Sequence, residues 1–286
     1  MSVTTYRDAG RLERAFQREN DHRALFIAYI MAGDPDLETS FELLKGLAEH
    51  ADVIELGMPF SDPMAEGPTI QLASQRSLAA GTKMRDVLGL VRRFRETNTV
   101  TPIVLMGYLN PVLFHGYEAF ANDASDAGAD GVIIVDCPPE EAGPLTDALE
   151  AAQMNLIRLA TPTTDDARLE VLVKRTSGFI YYVSVAGVTG VLEANADAVA
   201  GPVGRIRAAS GLPVAVGFGI KTPERAAQVA RVADGVVVGS ALVDEIAIAL
   251  DTGPLNTGSN ENVTKRVLLK ASELAKAVRS ARLELA

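Results

Sequence analysis

Short apolar runs rich in Val and Ile alternate with stretches of helical period along nearly the whole chain, the mark of strand-helix units laid on a parallel sheet. The pattern predicts strands over residues 24–31, 52–56, 102–106, 131–135, 155–159, 179–183, 213–216 and 235–238. Between them it predicts helices over 37–49, 70–78 with 84–96, 117–127, 140–151, 165–174, 196–208, 223–231 and 241–250, with a further N-terminal helix over 6–19 and a C-terminal one over 262–281. Pro35, Pro139 and Pro223 sit where first helical turns are expected, because a proline there gives up only an N–H that would be unpaired anyway. Asp165 and Asp166 place negative charge at the start of their helix, where the dipole favours it.

Eight strands alternating with helices over roughly 250 residues point to an α/β fold, a closed (β/α)8 TIM barrel with an extra N-terminal helix, since closure removes both sheet edges. An open doubly wound sheet is the alternative, and it would usually show Gly-x-Gly-x-x-Gly after its first strand, where this chain has Ala32-Gly33-Asp34-Pro35. No interdomain linker is visible. The Gly-, Asn- and Ser-rich stretch 252–260 joins only the last helix, so the expectation is a single domain over 1–286.

Composition narrows the partners more than the fold. Of 286 residues, 27 are Lys or Arg and 37 Asp or Glu, a net charge of −10, and no basic stripe suggests DNA or RNA. With 48% hydrophobic and 22% charged residues the chain can bury a substantial core. The longest apolar run, 24–32, falls short of the ~20 residues a membrane span needs, so no membrane role is expected. Cys137 has no second cysteine to pair with, and residues 1–8 carry no signal-peptide core, which makes the cytoplasm the expected compartment.

In a barrel of this kind the chemistry lies at the C-terminal ends of the strands. Metal chemistry needs a cluster of His and carboxylate ligands, yet there are three His, of which His22 and His50 precede strands and only His115 falls at the expected face. No metal is therefore expected. Schiff-base chemistry needs a lysine aimed into the barrel, and Lys221, just past the seventh strand, is the nearest candidate. Carboxylates remain. Glu55 stands inside Val53-Ile54-Glu55-Leu56-Gly57, an otherwise apolar strand, where desolvation would raise its pKa toward a range useful for moving protons. A structural ion pair with Arg158, the one other charged strand residue able to serve, is the competing account. The following segment, Met58 to Pro68, holds three prolines that stiffen it around Asp62 and Glu66; a solvated turn is the simpler account of Asp62.

Glycines recur after the last three strands, in Gly187-Val188-Thr189-Gly190, Gly217-Phe218-Gly219 and Gly239-Ser240. Loops there, with a helix N-terminus, are where barrels hold phosphate, here through backbone N–H groups and the Ser240 hydroxyl. The long connection 184–194 is expected to order over the site as a lid, carrying Thr189 inward. Tyr29, Tyr108, Ile133, Leu159, Tyr181 and Phe218 fall near strand ends and could line an apolar pocket, although core packing explains each one singly.

The strings Gly33-Asp34-Pro35, Ile54-Glu55-Leu56-Gly57-Met58-Pro59-Phe60-Ser61-Asp62-Pro63, Glu66-Gly67-Pro68-Thr69-Ile70-Gln71, Gly187-Val188-Thr189-Gly190 and Gly217-Phe218-Gly219-Ile220 closely resemble the tryptophan synthase alpha family, over nearly the whole chain. The resemblance implies a (β/α)8 barrel that cleaves indole-3-glycerol phosphate into indole and glyceraldehyde 3-phosphate without a cofactor of its own. It implies that Glu55 shuttles the proton and that Glu66, where the family has aspartate, stabilises the indole N–H. It further implies that Tyr181 is an active-site residue, that Gly190, Gly219, Gly239 and Ser240 bind phosphate, that Tyr29, Tyr108 and Ile133 surround indole, and that Thr189 is a lid residue. Asp62 and Asp136 match interface or loop positions. The implied partner is a beta subunit carrying pyridoxal phosphate, in an alpha2beta2 assembly, with Met58, Phe60, Met64, Leu109, Pro111, Val112, Phe114 and Pro138 as a candidate contact surface. Two other readings stay open: a regulatory subunit that binds the phosphate ligand with its chemistry weakened by the Glu66 exchange, and a free-standing lyase that releases indole.

Overall fold

The computed structural model describes residues 10–17, 23–184, 196–217, 219–252 and 259–283. Eight parallel strands, β1 (Leu25–Met31), β2 (Val53–Gly57), β3 (Ile103–Gly107), β4 (Gly131–Ile134), β5 (Asn155–Ala160), β6 (Ile180–Val183), β7 (Val214–Gly217) and β8 (Gly235–Val238), close into a barrel in sequence order. Closure is made by β1 against β8, with Leu25 opposite Gly235 and Ala28 opposite Val238. All eight predicted strands are present, displaced by at most one residue at either end.

The strands alternate between two apolar layers. Ile27, Val53, Val104, Ile133, Ile157, Tyr181, Ala215 and Val237 point inward and pack on one another. Phe26, Ile54, Leu105, Val132, Leu156 and Val236 point outward and pack under the helices. A short helix α1 (Arg11–Phe16) closes the N-terminal mouth, its Leu12 fully buried in the interior cluster and Phe16 against Phe179 with ring centroids 5.5 Å apart. Only part of the predicted N-terminal helix falls within the described residues.

The outer layer is α2 (Leu37–Leu47), α3 (Pro68–Ala79), α4 (Met84–Arg95), α5 (Leu109–His115), α6 (Tyr117–Ala127), α7 (Gly143–Ala151), α8 (Asp166–Leu172), α9 (Ala196–Ser210), α10 (Pro223–Ala230), α11 (Ser240–Thr252) and α12 (Ser259–Ser280). α12 packs across α2, α10 and α11, over the β1 side of the barrel. Helix α5 was not predicted. Two of the proline assignments also fail. Pro35 lies before the N-cap Asp36, whose carboxylate accepts the Thr39 N–H, and Pro139 lies in a turn ahead of α7, where Pro144 takes the first-turn position. Pro223 does open α10, and Pro68 opens α3 two residues earlier than expected. Asp165 caps α8 by accepting the Arg168 N–H. Among the described residues no helix is long and apolar enough to cross a membrane.

Candidate active site

At the C-terminal ends of the strands a cavity of about 260 Å³ gathers Glu55, Glu66, Tyr29, Tyr181, Gly219, Gly239 and Ser240, seven of the residues proposed from sequence. Glu55 points inward because it shares the parity of Val53, and it is fully buried. Neither of its carboxyl oxygens has a hydrogen-bond partner. The other buried acids do: Asp34 meets Arg76 at 2.7 Å and Asp52 meets Arg23 at 2.7 Å. The proposed Glu55–Arg158 pair is absent, since Arg158 has outward parity on β5. Burial, reinforced by the nearby charge of Glu66, pushes the Glu55 carboxyl up to about 8. Glu66 is half-buried, and desolvation alone pushes it up to about 7.

The loop that carries Glu66 is tied down at both ends. Ser74, buried in α3, accepts the Phe60 N–H at 2.9 Å and donates to the Phe60 carbonyl at 2.7 Å. The Tyr108 hydroxyl accepts the Ala65 N–H at 3.0 Å, with its ring stacked on Phe60. The Gln71 side-chain amide donates to the Glu66 carbonyl at 2.9 Å. Asp62, in contrast, is exposed.

Two tyrosines frame the carboxylates, and two glycines make room for them. A Cβ on Gly57 would overlap the Tyr29 hydroxyl, and one on Gly217 the Tyr181 hydroxyl. Both phenols are driven well above their ordinary pKa, by burial first and by the Glu55 and Glu66 charges next, and so stay protonated donors.

Gly239 precedes α11, whose first turn, beginning at Ser240, opens onto the cavity; the Leu242 and Val243 N–H groups donate to the Gly239 carbonyl, and those of Ser240 and Ala241, ahead of them, have no intrahelical partner and favour an anion. Lys221, half-exposed at the rim, donates to Asp244 Oδ2 at 3.0 Å, while Asp244 Oδ1 accepts the Thr69 hydroxyl at 2.8 Å. Lys221 thus lies at the rim beside the start of α11, exposed where a Schiff-base lysine would be buried. Sequence reasoning did not assign Thr69, Ile70, Met106, Ile220 or Val237 to the cavity, although all line it.

Three proposed pocket residues do not line this cavity. Ile133 is buried within the barrel interior, Leu159 packs against the same cluster, and Tyr108 lines a small adjoining space that shares Tyr29, Glu66 and Met106. Thr189, Gly190 and Phe218, with most of the expected lid over 184–194, lie outside the described residues. The His115 ring nitrogen Nε2 meets the Asp123 carboxylate at 2.7 Å, away from the cavity. Among the described residues no three His, Cys, Asp or Glu side chains converge as metal ligands.

Of the expected contact surface, Met58 and Val112 are instead buried, because Met58 packs at the end of β2 and Val112 turns under α5. Met64 and Phe114 are exposed as expected, Phe114 at 93%, and so is Leu113, which the sequence did not single out, on the connections that follow β2 and β3. Asp136 accepts the Leu109 N–H at 2.7 Å and so fixes the start of α5.

A family model described as tryptophan synthase alpha chain matches residues 16–279. The chain is 69% identical over 261 residues to the tryptophan synthase alpha chain of Phenylobacterium zucineum (strain HLK1), covering 91% of this chain and 92% of that one. It is 66% identical over 278 residues to that of Caulobacter sp. (strain K31), covering 96% and 98%. Among solved structures, the tryptophan synthase alpha subunit of Legionella pneumophila str. Paris superposes with a TM-score of 0.84 at 41% identity, covering 95% of this chain and 99% of that one. An open form of tryptophan synthase from M. tuberculosis gives 0.80 at 36%, covering 95% and 100%.

Proposed function

The chain belongs to the tryptophan synthase alpha chain family, and on that footing we propose how its residues carry out the reaction. It cleaves indole-3-glycerol phosphate to indole and glyceraldehyde 3-phosphate, in the cytoplasm, as one domain, and passes indole to a beta subunit in an alpha2beta2 complex. Glu55, protonated at neutral pH, gives its proton to the indole C3 and leaves a cation delocalised onto the ring nitrogen. The Glu66 carboxylate accepts the indole N–H and stabilises that charge. The Glu55 carboxylate then takes the proton from the hydroxyl on the carbon bonded to C3. The C–C bond breaks, its electrons return to the ring, and the carbon becomes the aldehyde of the second product. Protons balance, and Glu55 ends as it began.

Tyr181 and Tyr29, held as neutral donors, exclude water and orient the glycerol chain. Gly219, Gly239 and Ser240 hold the phosphate at the α11 N-terminus, with Gly190 and Thr189 expected to complete the enclosure. Lys221 adds a cation at the same end. The exposed Met64, Leu113 and Phe114 support partner contact at the mouth from which indole leaves.

The observation that carries this reading is Glu55, fully buried and unpartnered in a cavity that also holds a second raised carboxyl group. The test is the rate of indole formation from indole-3-glycerol phosphate, by the chain alone and with a beta subunit. Turnover that the partner accelerates supports it. Substrate binding without cleavage in both cases would leave only a regulatory binding role.

A further inference from the structure

A second cavity, beside β4 and β5 and the connections that follow them, contains a charge that the reaction does not use. Arg158 alternates with the inward-facing Ile157 and Leu159 and so points into the layer between sheet and helices, where it is 8% exposed. Its Nε has no hydrogen-bond partner, and its guanidinium is in no ion pair among the described residues. A guanidinium does not shed its proton inside a protein, so its burial costs stability unless a counter-charge offsets it.

The space beside it measures about 310 Å³ and lies between the β4–α7 connection and α8, walled by Cys137, Pro139, Thr164 and Leu172 and edged by Arg168. Two acids beside the cavity are engaged elsewhere: Glu140 holds Arg168, and Asp136 accepts the Leu109 N–H. Burial works against the charge of Arg158 more than any neighbour; Cys137 and Glu140 favour it to a smaller degree than burial opposes it, and Arg168 and Arg175 oppose it. What the cavity lacks is a compact negative group that can take a planar pair of N–H donors, the recognition at which arginine excels.

We propose that this cavity binds a small oxyanion, a phosphate or a carboxylate, seated on the Arg158 guanidinium with Arg168 at its mouth. The site is separate from the phosphate end of the catalytic cavity, with which it shares no lining residue. Its occupancy would lock the β4–α7 connection against α8, because those two elements supply its opposite walls.

The test titrates the ¹⁵N-labelled full chain with inorganic phosphate and, separately, with acetate, following the Arg158 Nε–Hε resonance, which is identified by its loss in Arg158→Lys. Sodium chloride at matched ionic strength is the control. A saturable shift with phosphate or acetate supports the site, and which anion saturates at lower concentration identifies the preferred chemistry. Glu140→Gln removes a competing surface carboxylate and should lower the half-saturating concentration roughly two- to fivefold. A linear drift shared with chloride would overturn the proposal. So would a half-saturating concentration that rises in Glu140→Gln, since removing a competing negative charge can only favour an anion seated on Arg158 and Arg168.

Discussion

Replacing Glu55 by Gln should raise stability and abolish catalysis at the same time, with the stability gain confined to one side of the pH scale. The wild-type carboxyl is fully buried, accepts no hydrogen bond, and has its pKa raised from 4.5 to about 8 by desolvation and by the Glu66 charge. A carboxyl group whose folded pKa lies above its unfolded one gives its full stability below the unfolded value. That stability is lost as pH rises through the folded value, because the folded chain holds a proton the unfolded chain has released. At about 1.4 kcal/mol per unit, the raise amounts to on the order of 4–5 kcal/mol, fully lost only above about pH 8. Glutamine keeps the shape and removes the titration.

Melting curves of the two proteins should therefore coincide near pH 5 and separate as pH rises to 8.5. At ~2 °C per kcal/mol for a chain of this size, the wild type should fall behind by up to roughly 10 °C. Scanning calorimetry in a buffer series reads the gap directly, and every titration common to both proteins cancels in the difference. In the same preparations indole release should drop by about 10²–10⁴-fold, the usual worth of a positioned acid-base group, while substrate still binds. The chain contains no Trp, so indole fluorescence reports ligand binding without background from the protein. Parallel melting curves at all pH values would refute the raised carboxyl, and preserved turnover would refute its role as proton carrier.

The pH profile follows from the same pair: Glu66 must ionise, above about 7, and Glu55 must stay protonated, below about 8, so kcat/KM should be bell-shaped with its maximum between them, and Glu66→Gln should flatten the acid limb. Glu66→Asp withdraws the carboxylate by about 1 Å from a loop anchored around glutamate and should cost up to ~100-fold in kcat; unchanged turnover would show that the loop has slack. Tyr108→Phe deletes the acceptor of the Ala65 N–H and should lower stability by about 1 kcal/mol in urea unfolding, with kcat falling more than KM rises. Lys221→Met should raise KM for the phosphorylated substrate roughly two- to fivefold at low salt and less at high salt. An effect insensitive to salt would argue that Lys221 matters only through Asp244.

The barrel was legible because its strands are buried on both faces, which writes each as a continuous apolar run such as Val104-Leu105-Met106 or Val236-Val237-Val238. Helix α5 was not, because it spans seven residues of which Val112 alone is fully buried; Leu113 and Phe114 face outward, so no period emerges. Pro35 and Pro139 misled because proline suits turns as well as first helical turns, and a side-chain cap such as Asp36 marks the start more directly. The long-range contacts of the Glu66 loop and of the cavity rim were out of reach for a different reason. Tyr108 is 43 residues from Ala65, and Thr69 is 175 from Asp244, so both pairings depend on how the barrel closes.

Glu55 shows what a local pattern can decide. Asp52 and Glu55 are two acids three residues apart at one strand, and composition treats them alike. An odd spacing on a strand sends side chains to opposite faces. Glu55 goes inward with Val53, to the mouth where the strands end and no arginine among the described residues reaches. Asp52 goes outward at the opposite end of the strand, where Arg23 meets it and the Phe26 N–H donates to it at 2.9 Å. One acid is thereby bound into the scaffold as a fixed charge, and the other is left with a proton it can give and take back. The difference in chemistry comes from strand parity and from which end of the barrel each acid occupies, and both follow from the order of apolar positions along the chain.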